Sequence, residues 1–251
     1  MISPDIKIYN ECCLTGMERI PDNTVDCVIC DLPYGVLNKG NKEAKWDAQI
    51  PLGPLWEQYE RICKKNAAII LFGQGMFTAK LMMSNPKMWR YNLVWDKNSP
   101  TGFLNANRMP LRSHEDICVF YKKLPVYHPQ KEKCGIGKRN HSRGNIEQPK
   151  TNRCYGKFKE YPSVISDEKC PKSIIHIPKE HSTGKFYHPT QKPVSLLKYL
   201  MKTYTNEGDT VLDNCMGSGS TGVACVSTLR NFIGFEKEKK YFDISFKRLC
   251  E

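Results

Sequence analysis

Val25-Asp26-Cys27-Val28-Ile29-Cys30-Asp31-Leu32-Pro33-Tyr34 is an apolar run closed by an acid, a proline and an aromatic ring. A short apolar run bounded by turn residues reads as a buried strand. The closing tetrapeptide then offers a carboxylate, a rigid backbone carbonyl and an aromatic face at the strand's carboxyl end. Those groups suit gripping a flat nucleobase that carries an exocyclic amine. A capping Asp followed by a proline turn would look the same. A second site is therefore needed to give the tetrapeptide a chemical meaning. Thr210-Val211-Leu212-Asp213 supplies one, because it runs into Asn214-Cys215-Met216-Gly217-Ser218-Gly219-Ser220-Thr221-Gly222.

Working outward, Lys7–Tyr9, Ala67–Phe72, Leu93–Trp95, Ile117–Tyr121 and Phe232–Glu236 read as further strands. Helical spacing of apolar residues marks Leu55–Cys63, Met76–Met83, Val194–Tyr204, Gly219–Leu229 and Tyr241–Leu249, with a helical turn at Gly16–Ile20. Strands alternating with helices predict an α/β fold with a doubly wound, mainly parallel sheet. Val36–Lys45, polar and containing Gly40, reads as a mobile loop. Between Lys122 and Tyr187 the periodicity is lost. The expected organisation is therefore one domain made of residues 1–121 and 188–251, interrupted by an insertion at 122–187.

The chain has 251 residues, a net charge of +12 and a pI of about 9.1. From Lys122 to Lys192 there are sixteen Lys and Arg against six Asp and Glu, so an excess of ten sits in one segment. Tyr127, Tyr155, Phe158, Tyr161, Phe186 and Tyr187 are interleaved there. A basic stretch with stacking groups fits a polyanion surface, and a solvated loop fits the charge equally well. Mean hydropathy is −0.53 and no apolar run reaches the roughly 20 residues a spanning helix needs. Met1-Ile2-Ser3-Pro4-Asp5 lacks a signal-peptide pattern, so a soluble, cytoplasmic protein without a membrane partner is expected. Twelve cysteines invite a metal reading, and Cys27-x-x-Cys30 has zinc-like spacing. Residues three apart on a strand face opposite sides, so the expectation is buried reduced thiols and no metal.

Gly217-Ser218-Gly219-Ser220-Thr221-Gly222 also satisfies G-x-G-x-x-G, and Glu236 follows Gly217 by 19 residues. That is the pattern of a dinucleotide oxidoreductase. Asp213 weighs against it, because a carboxylate beside the helix N-terminus would repel a pyrophosphate. A cationic nucleoside without phosphate suits Asp213 better. The glycines admit close backbone approach, and Glu236 can accept hydrogen bonds from both ribose hydroxyls.

On these residues the chain resembles the amino-methylating DNA methyltransferases of the β class, which place the catalytic D-P-P-Y motif first, target recognition next and the cofactor motif last. Asp31-Leu32-Pro33-Tyr34 is similar to the catalytic motif, with Leu for the first Pro. His188-Pro189-Thr190-Gln191-Lys192-Pro193 is similar to the segment before the cofactor strand. Asp213–Gly222 is similar to the D-P-F-x-G-S-G-T-T element, with Asn214 and Cys215 for Pro-Phe. Phe232-Ile233-Gly234-Phe235-Glu236 is similar to the ribose-binding strand, and Arg112-x-His114-Glu115 is family-like too. Asn10-Glu11-Cys12 resembles an N-terminal g-D-C element, with Glu11 in place of Asp. Small orphan or phage-type adenine methyltransferases look nearest.

The resemblance implies a Rossmann-like methyltransferase fold, S-adenosyl-L-methionine as methyl donor and double-stranded DNA as partner. It implies Asp31, Pro33 and Tyr34 as the catalytic residues acting on a flipped-out adenine amine. It implies Glu11, Thr190, Lys192, Asp213, Gly217, Gly219 and Glu236 around the donor, and Arg139, Arg143 and Arg153 as candidate DNA contacts. N4-cytosine methylation requires the same chemistry and stays open. A nicotinamide-dependent oxidoreductase and a catalytically inactive nucleic-acid-binding module are the readings from other classes. RNA is not distinguished from DNA by charge. A homodimer is compatible with the chain, and the sequence identifies no cognate endonuclease.

Overall fold

The structure, a computed structural model, describes residues 3–39, 46–135, 140–142, 151–152, 156–157, 164–179, 187 and 190–250. They fall into two compact units, residues 129–172 and the remainder.

The larger unit is built on eight strands: β1 (Ile6–Tyr9), β2 (Val25–Cys30), β3 (Cys63–Gly73), β4 (Trp89–Thr101), β5 (Arg112–Phe120), β12 (Ile174–His176), β13 (Thr210–Asp213) and β14 (Asn231–Phe235). They lie in the order β1-β14-β13-β2-β3-β5-β4-β12. Only β5 opposes its neighbours, pairing antiparallel with both β3 and β4, so the other seven run one way. The expected mainly parallel sheet is what the chain forms. Ala67–Phe72 is the apolar centre of β3, parallel to β2 and antiparallel to β5.

Alternation along the strands sorts side chains to two faces. Val28, Cys30, Ile69, Leu71, Cys118 and Phe120 lie on one face. Cys27, Ile29, Ala68, Ile70, Ile117 and Val119 lie on the other. Cys27 and Cys30 thus enter separate cores, and their thiols diverge. The first face is covered by α1 (Cys13–Met17), α2 (Leu52–Ile62) and α3 (Met76–Ser84) through Met17, Leu55, Tyr59, Ile62, Phe77 and Leu81. The second is covered by α4 (Val194–Tyr204), α5 (Ser220–Ser227) and α6 (Lys239–Cys250). In α4 the apolar residues Leu196, Leu197, Leu200, Met201 and Tyr204 recur at helical spacing, and all five are buried. Pro193, with φ −60°, stands immediately before that helix.

Several boundaries depart from the sequence reading for local reasons. Helix α2 begins at Leu52 because Pro54 sits in its first turn, where a missing N–H costs nothing. Strand β3 starts at Cys63, and exposed Lys64, Lys65 and Asn66 hid its first residues from an apolar count. Strand β12 adds an edge to the main sheet from within the aperiodic segment. Of its three residues only Ile175 is buried, too short a run to show alternation.

The smaller unit is a set of nested antiparallel pairs: β6 (Glu132–Lys133) with β11 (Glu168–Lys169), β7 (Asn140–Ser142) with β10 (Val164–Ser166), and β8 (Thr151–Asn152) with β9 (Gly156–Lys157). Opposite charges face each other across the outermost pair, Lys169 to Glu132 at 3.0 Å and Lys131 to Glu168 at 3.3 Å. Strands of two or three residues leave no hydrophobic period to read.

No helix of the described residues is long and apolar enough to cross a membrane. Truncating Leu200, fully buried between α4 and the sheet, tests the second core. Leu200→Ala should lower unfolding free energy by about 2–5 kcal/mol in urea titrations at unchanged m-value.

Candidate active site

Strands β2 and β13 are direct neighbours, with Cys27 opposite Val211 and Val28 opposite Leu212. From β2 the chain proceeds to β3 on one side, and from β13 to β14 on the other. The pair is therefore the topological switch point, where a crevice opens beyond the carboxyl ends of the strands. Asp31 follows β2 directly and Asp213 ends β13, so residues roughly 180 apart in sequence stand at adjacent strand ends. A cavity of about 940 Å³ opens there, and Glu11, Asp31, Pro33, Tyr34, Thr190, Lys192, Asp213, Gly217 and Glu236 all line it. Gly219 lies one residue past the lining Ser218, at the start of α5. Arg139, Arg143 and Arg153 lie outside the described residues, as do His188 and Pro189.

At the β2 end the Asp31 carboxylate is held on both oxygens. The Tyr34 hydroxyl donates to Oδ1 at 3.0 Å, and Lys192 Nζ donates to Oδ2. Lys192 is nine-tenths buried and stands 3.3 Å from Glu115 Oε2, while Glu115 Oε1 lies 3.2 Å from Lys97 Nζ. Lys97, Glu115, Lys192 and Asp31 thus alternate in sign along a buried chain. Burial pushes the Asp31 carboxyl up, and the Lys192 ammonium opposes that push. Burial would lower Lys192, but Asp31 and Glu115 outweigh it and raise the ammonium above its ordinary value. Burial would likewise raise Glu115, and its two ammonium neighbours bring it below the usual range. The Lys192 ammonium thus favours the charged form of both carboxylates it touches. The Tyr34 ring stacks on Phe77 with centroids 4.6 Å apart, which fixes its plane. The backbone just beyond is pinned by Asp47, whose carboxylate accepts N–H groups of Gly35, Val36 and Leu37 at 3.1, 2.8 and 2.6 Å.

At the β13 end the carboxylates serve the backbone. Asp213 is 4% exposed and accepts the Thr221 hydroxyl at 2.6 Å and the Cys215 N–H at 3.1 Å. Glu236 accepts the N–H groups of Gly217 at 2.9 Å and Glu238 at 2.7 Å, and burial raises its carboxyl. Gly217 and Gly219 have φ of +52° and +78°, the left-handed region that glycine enters freely. A Cβ at Gly219 would also meet Ser245 Cβ at 2.9 Å, so glycine is required twice over. Asn214 accepts the buried Tyr59 hydroxyl at 2.5 Å, tying the turn to α2. Glu11 pairs with Arg19 at 2.7 Å through Oε2, while its Oε1 is buried in the cavity wall with no hydrogen-bond partner.

All the described candidate residues converge on one crevice. Lys192 stands against Asp31, and Thr190 lies exposed in the turn before it. Lys97, Asp47 and Phe77 were given no role by sequence reasoning, and Glu115 entered it only within the family-like Arg112-x-His114-Glu115 segment, without a role of its own. Asp47 gave no signal, since it lies in an aperiodic loop.

A family model described as DNA methylase, of the N6/N4 methyltransferase type, matches residues 25–247. Type II methyltransferase M.HinfI of Haemophilus influenzae is 28% identical over 95% of this chain and 67% of its own length. DNA adenine methyltransferase YhdJ of Escherichia coli strain K12 is 24% identical over 94% of this chain and 80% of its own. The crystal structure of the M1.HpyAVI–SAM complex superposes with a TM-score of 0.66 at 25% identity, over 98% of this chain and all of that one.

Burial raises the Asp213 carboxyl to about 6, against the hydrogen bonds from Thr221 and Cys215. The folded state then holds a proton that the unfolded chain releases from about pH 4 upward. This contribution is fully present below pH 4 and is lost as pH rises through about 6. Asp213→Asn should remove that component, so the stability difference between variant and wild type should shift in the variant's favour from pH 4 to pH 7, on the order of 3 kcal/mol. Urea unfolding at both pH values measures it, and a pH-independent difference would contradict the assignment.

Proposed function

The chain belongs to the DNA methylase family, and from that premise we propose that it transfers a methyl group from S-adenosylmethionine to the N6 amine of adenine in duplex DNA. The observation that carries this is the meeting of two strand-end motifs in one cavity, one built to grip a base amine and the other to hold a nucleoside. The name borne by YhdJ supports adenine over cytosine.

The cavity fits the donor on three counts. Its volume of about 940 Å³ accommodates a nucleoside with an amino-acid arm beside a base. Gly217 brings backbone to the cavity without a side chain. Glu11 lines the cavity and carries a buried oxygen with no hydrogen-bond partner, an acceptor that the protein's own bonds leave over. We assign Glu11, Thr190, Gly217, Gly219 and Glu236 to this half, with Asp213 holding the turn in shape. S-adenosylmethionine supplies a methyl group on a sulfonium, a good leaving group.

Asp31, Pro33 and Tyr34 act on the base. An exocyclic amine is a weak nucleophile, and positive charge grows on its nitrogen as the new bond forms. Asp31 and the backbone carbonyl of Pro33 accept its two N–H groups and stabilise that charge without reorganising. Tyr34, braced by Phe77, stacks on the ring. Lys192 keeps Asp31 ionised and aimed until the base arrives. Glu115, 3.3 Å from Lys192, offers the ammonium a second carboxylate when the amine takes its place on Asp31. A base inside a duplex cannot reach this depth, so it enters flipped out. Target reading is assigned to residues 122–187, with Arg139, Arg143 and Arg153 as candidate contacts, on the excess of ten positive charges between Lys122 and Lys192.

Incubation with S-adenosylmethionine and unmethylated plasmid DNA, followed by digestion to nucleosides and mass analysis, should yield N6-methyladenine. N4-methylcytosine would keep the mechanism and overturn the base assignment. Absence of both would overturn the reading. Asp31→Ala should lower kcat by at least roughly 10²-fold while S-adenosylmethionine affinity, measured by calorimetry, stays near wild type. Normal turnover in that variant would remove Asp31 from the mechanism.

A further inference from the structure

Between β4 and β5 the chain leaves the sheet for a protrusion, residues 102–111. Phe103 is 77% exposed, Leu104 83% and Met109 55%, and every residue from Phe103 to His114 faces solvent. Monomeric proteins rarely gather large apolar side chains on one bare segment without a partner. The segment is nevertheless shaped. Gly102 adopts φ +90° and starts a short 3₁₀ turn over Phe103–Asn105. Backbone N–H groups of Asn105, Ala106, Arg108 and Met109 close successive turns at 2.9–3.0 Å. At its base Thr101 pairs with Arg112, and the Arg112 guanidinium donates to Gln74 Oε1 at 3.2 Å.

Its place and charge indicate the partner. Strand β4 runs in the same direction as β2, so the protrusion rises from the edge of the sheet where Asp31 stands. Gln74, Arg112 and His114 at its root line the cavity itself. The stretch from Gly102 to Arg112 carries Arg108 and Arg112 and no acid. Apolar tips flanked by arginine are the composition of side chains that wedge between base steps and unstack them.

We propose that the 102–111 protrusion enters duplex DNA beside the target base, and that Phe103 and Leu104 fill the stack that base vacates. This rests on the reading that a base flips into the cavity. The wedge would offset part of the few kcal/mol that unstacking and unpairing cost.

The test uses Phe103→Ser/Leu104→Ser on an oligonucleotide duplex bearing the sequence mapped around the methylated base on plasmid DNA. A second duplex carries an abasic position opposite that base, so that little pairing remains to be broken. On the paired duplex kcat/KM should fall about tenfold or more. On the abasic duplex the deficit should shrink to about twofold. With 2-aminopurine as target base, the fluorescence rise on binding should appear with wild type and be lost in the variant. An equal deficit on both duplexes, no deficit on either, or a wild-type dimer that the variant turns into a monomer would each overturn the wedge. Both substitutions are at solvent-exposed positions, and an unchanged S-adenosylmethionine affinity confirms the fold. A wild-type enzyme that methylates neither duplex would overturn the parent reading instead.

Discussion

The pairing of β2 with β13 at the centre of the sheet is the contact on which everything else depends. Two hydrophobic strands from opposite halves of the chain lie side by side and point the same way. Whatever follows each of them is delivered to the same crevice. The chain after β2 carries the Asp31 tetrapeptide, and the chain after β13 carries the glycine turn. Three helices on each face bury all of β2 and β13 except Asp26 and Thr210, so the ends of the two strands are held by packed cores and not by loops. A crevice framed in this way can keep a carboxylate and a nucleoside turn in register to fractions of an ångström.

Buried charge sets the second constraint. Four ionisable groups, Lys97, Glu115, Lys192 and Asp31, run from the interior to the cavity wall. Each would be costly alone, and their alternation in sign makes them tolerable. The chain closes with equal numbers of positive and negative groups. The ammonium beside Asp31 opposes the upward push of burial on that carboxyl, and a charged carboxylate is what can best accept a hydrogen bond from a nitrogen that is gaining charge.

Much of this was legible in sequence. The strand Val25–Cys30 announced itself by an apolar run, the glycine turn by its spacing, and α4 by its helical stripe behind Pro193. What stayed hidden depended on distance or brevity. The Glu115 bridge between two lysines is made by residues from three separate elements, and no local pattern encodes it. Asp47 caps three backbone N–H groups from a loop, a task defined only once the loop is folded. Strand β12 has three residues, and the nested pairs β6–β11, β7–β10 and β8–β9 have two or three each, below the length at which alternation can be seen. The direction of β5 was also hidden, because an apolar strand reads the same in either orientation.

Among the described residues, β1 has a single strand partner, β14, and their contacts join Ile6–Tyr9 to Phe232–Phe235. Strand β1 therefore waits for β14, more than 200 residues later in the chain, before it can dock. Glu11 and Cys13, just beyond β1, reach the crevice wall only when that closure happens. Contacts spanning almost the whole chain are the slowest to form. A nascent chain released before β14 emerges would hold the Asp31 tetrapeptide without the pocket beside it. Assembly of the site thereby waits for β14, long after β2 and the Asp31 tetrapeptide have been made.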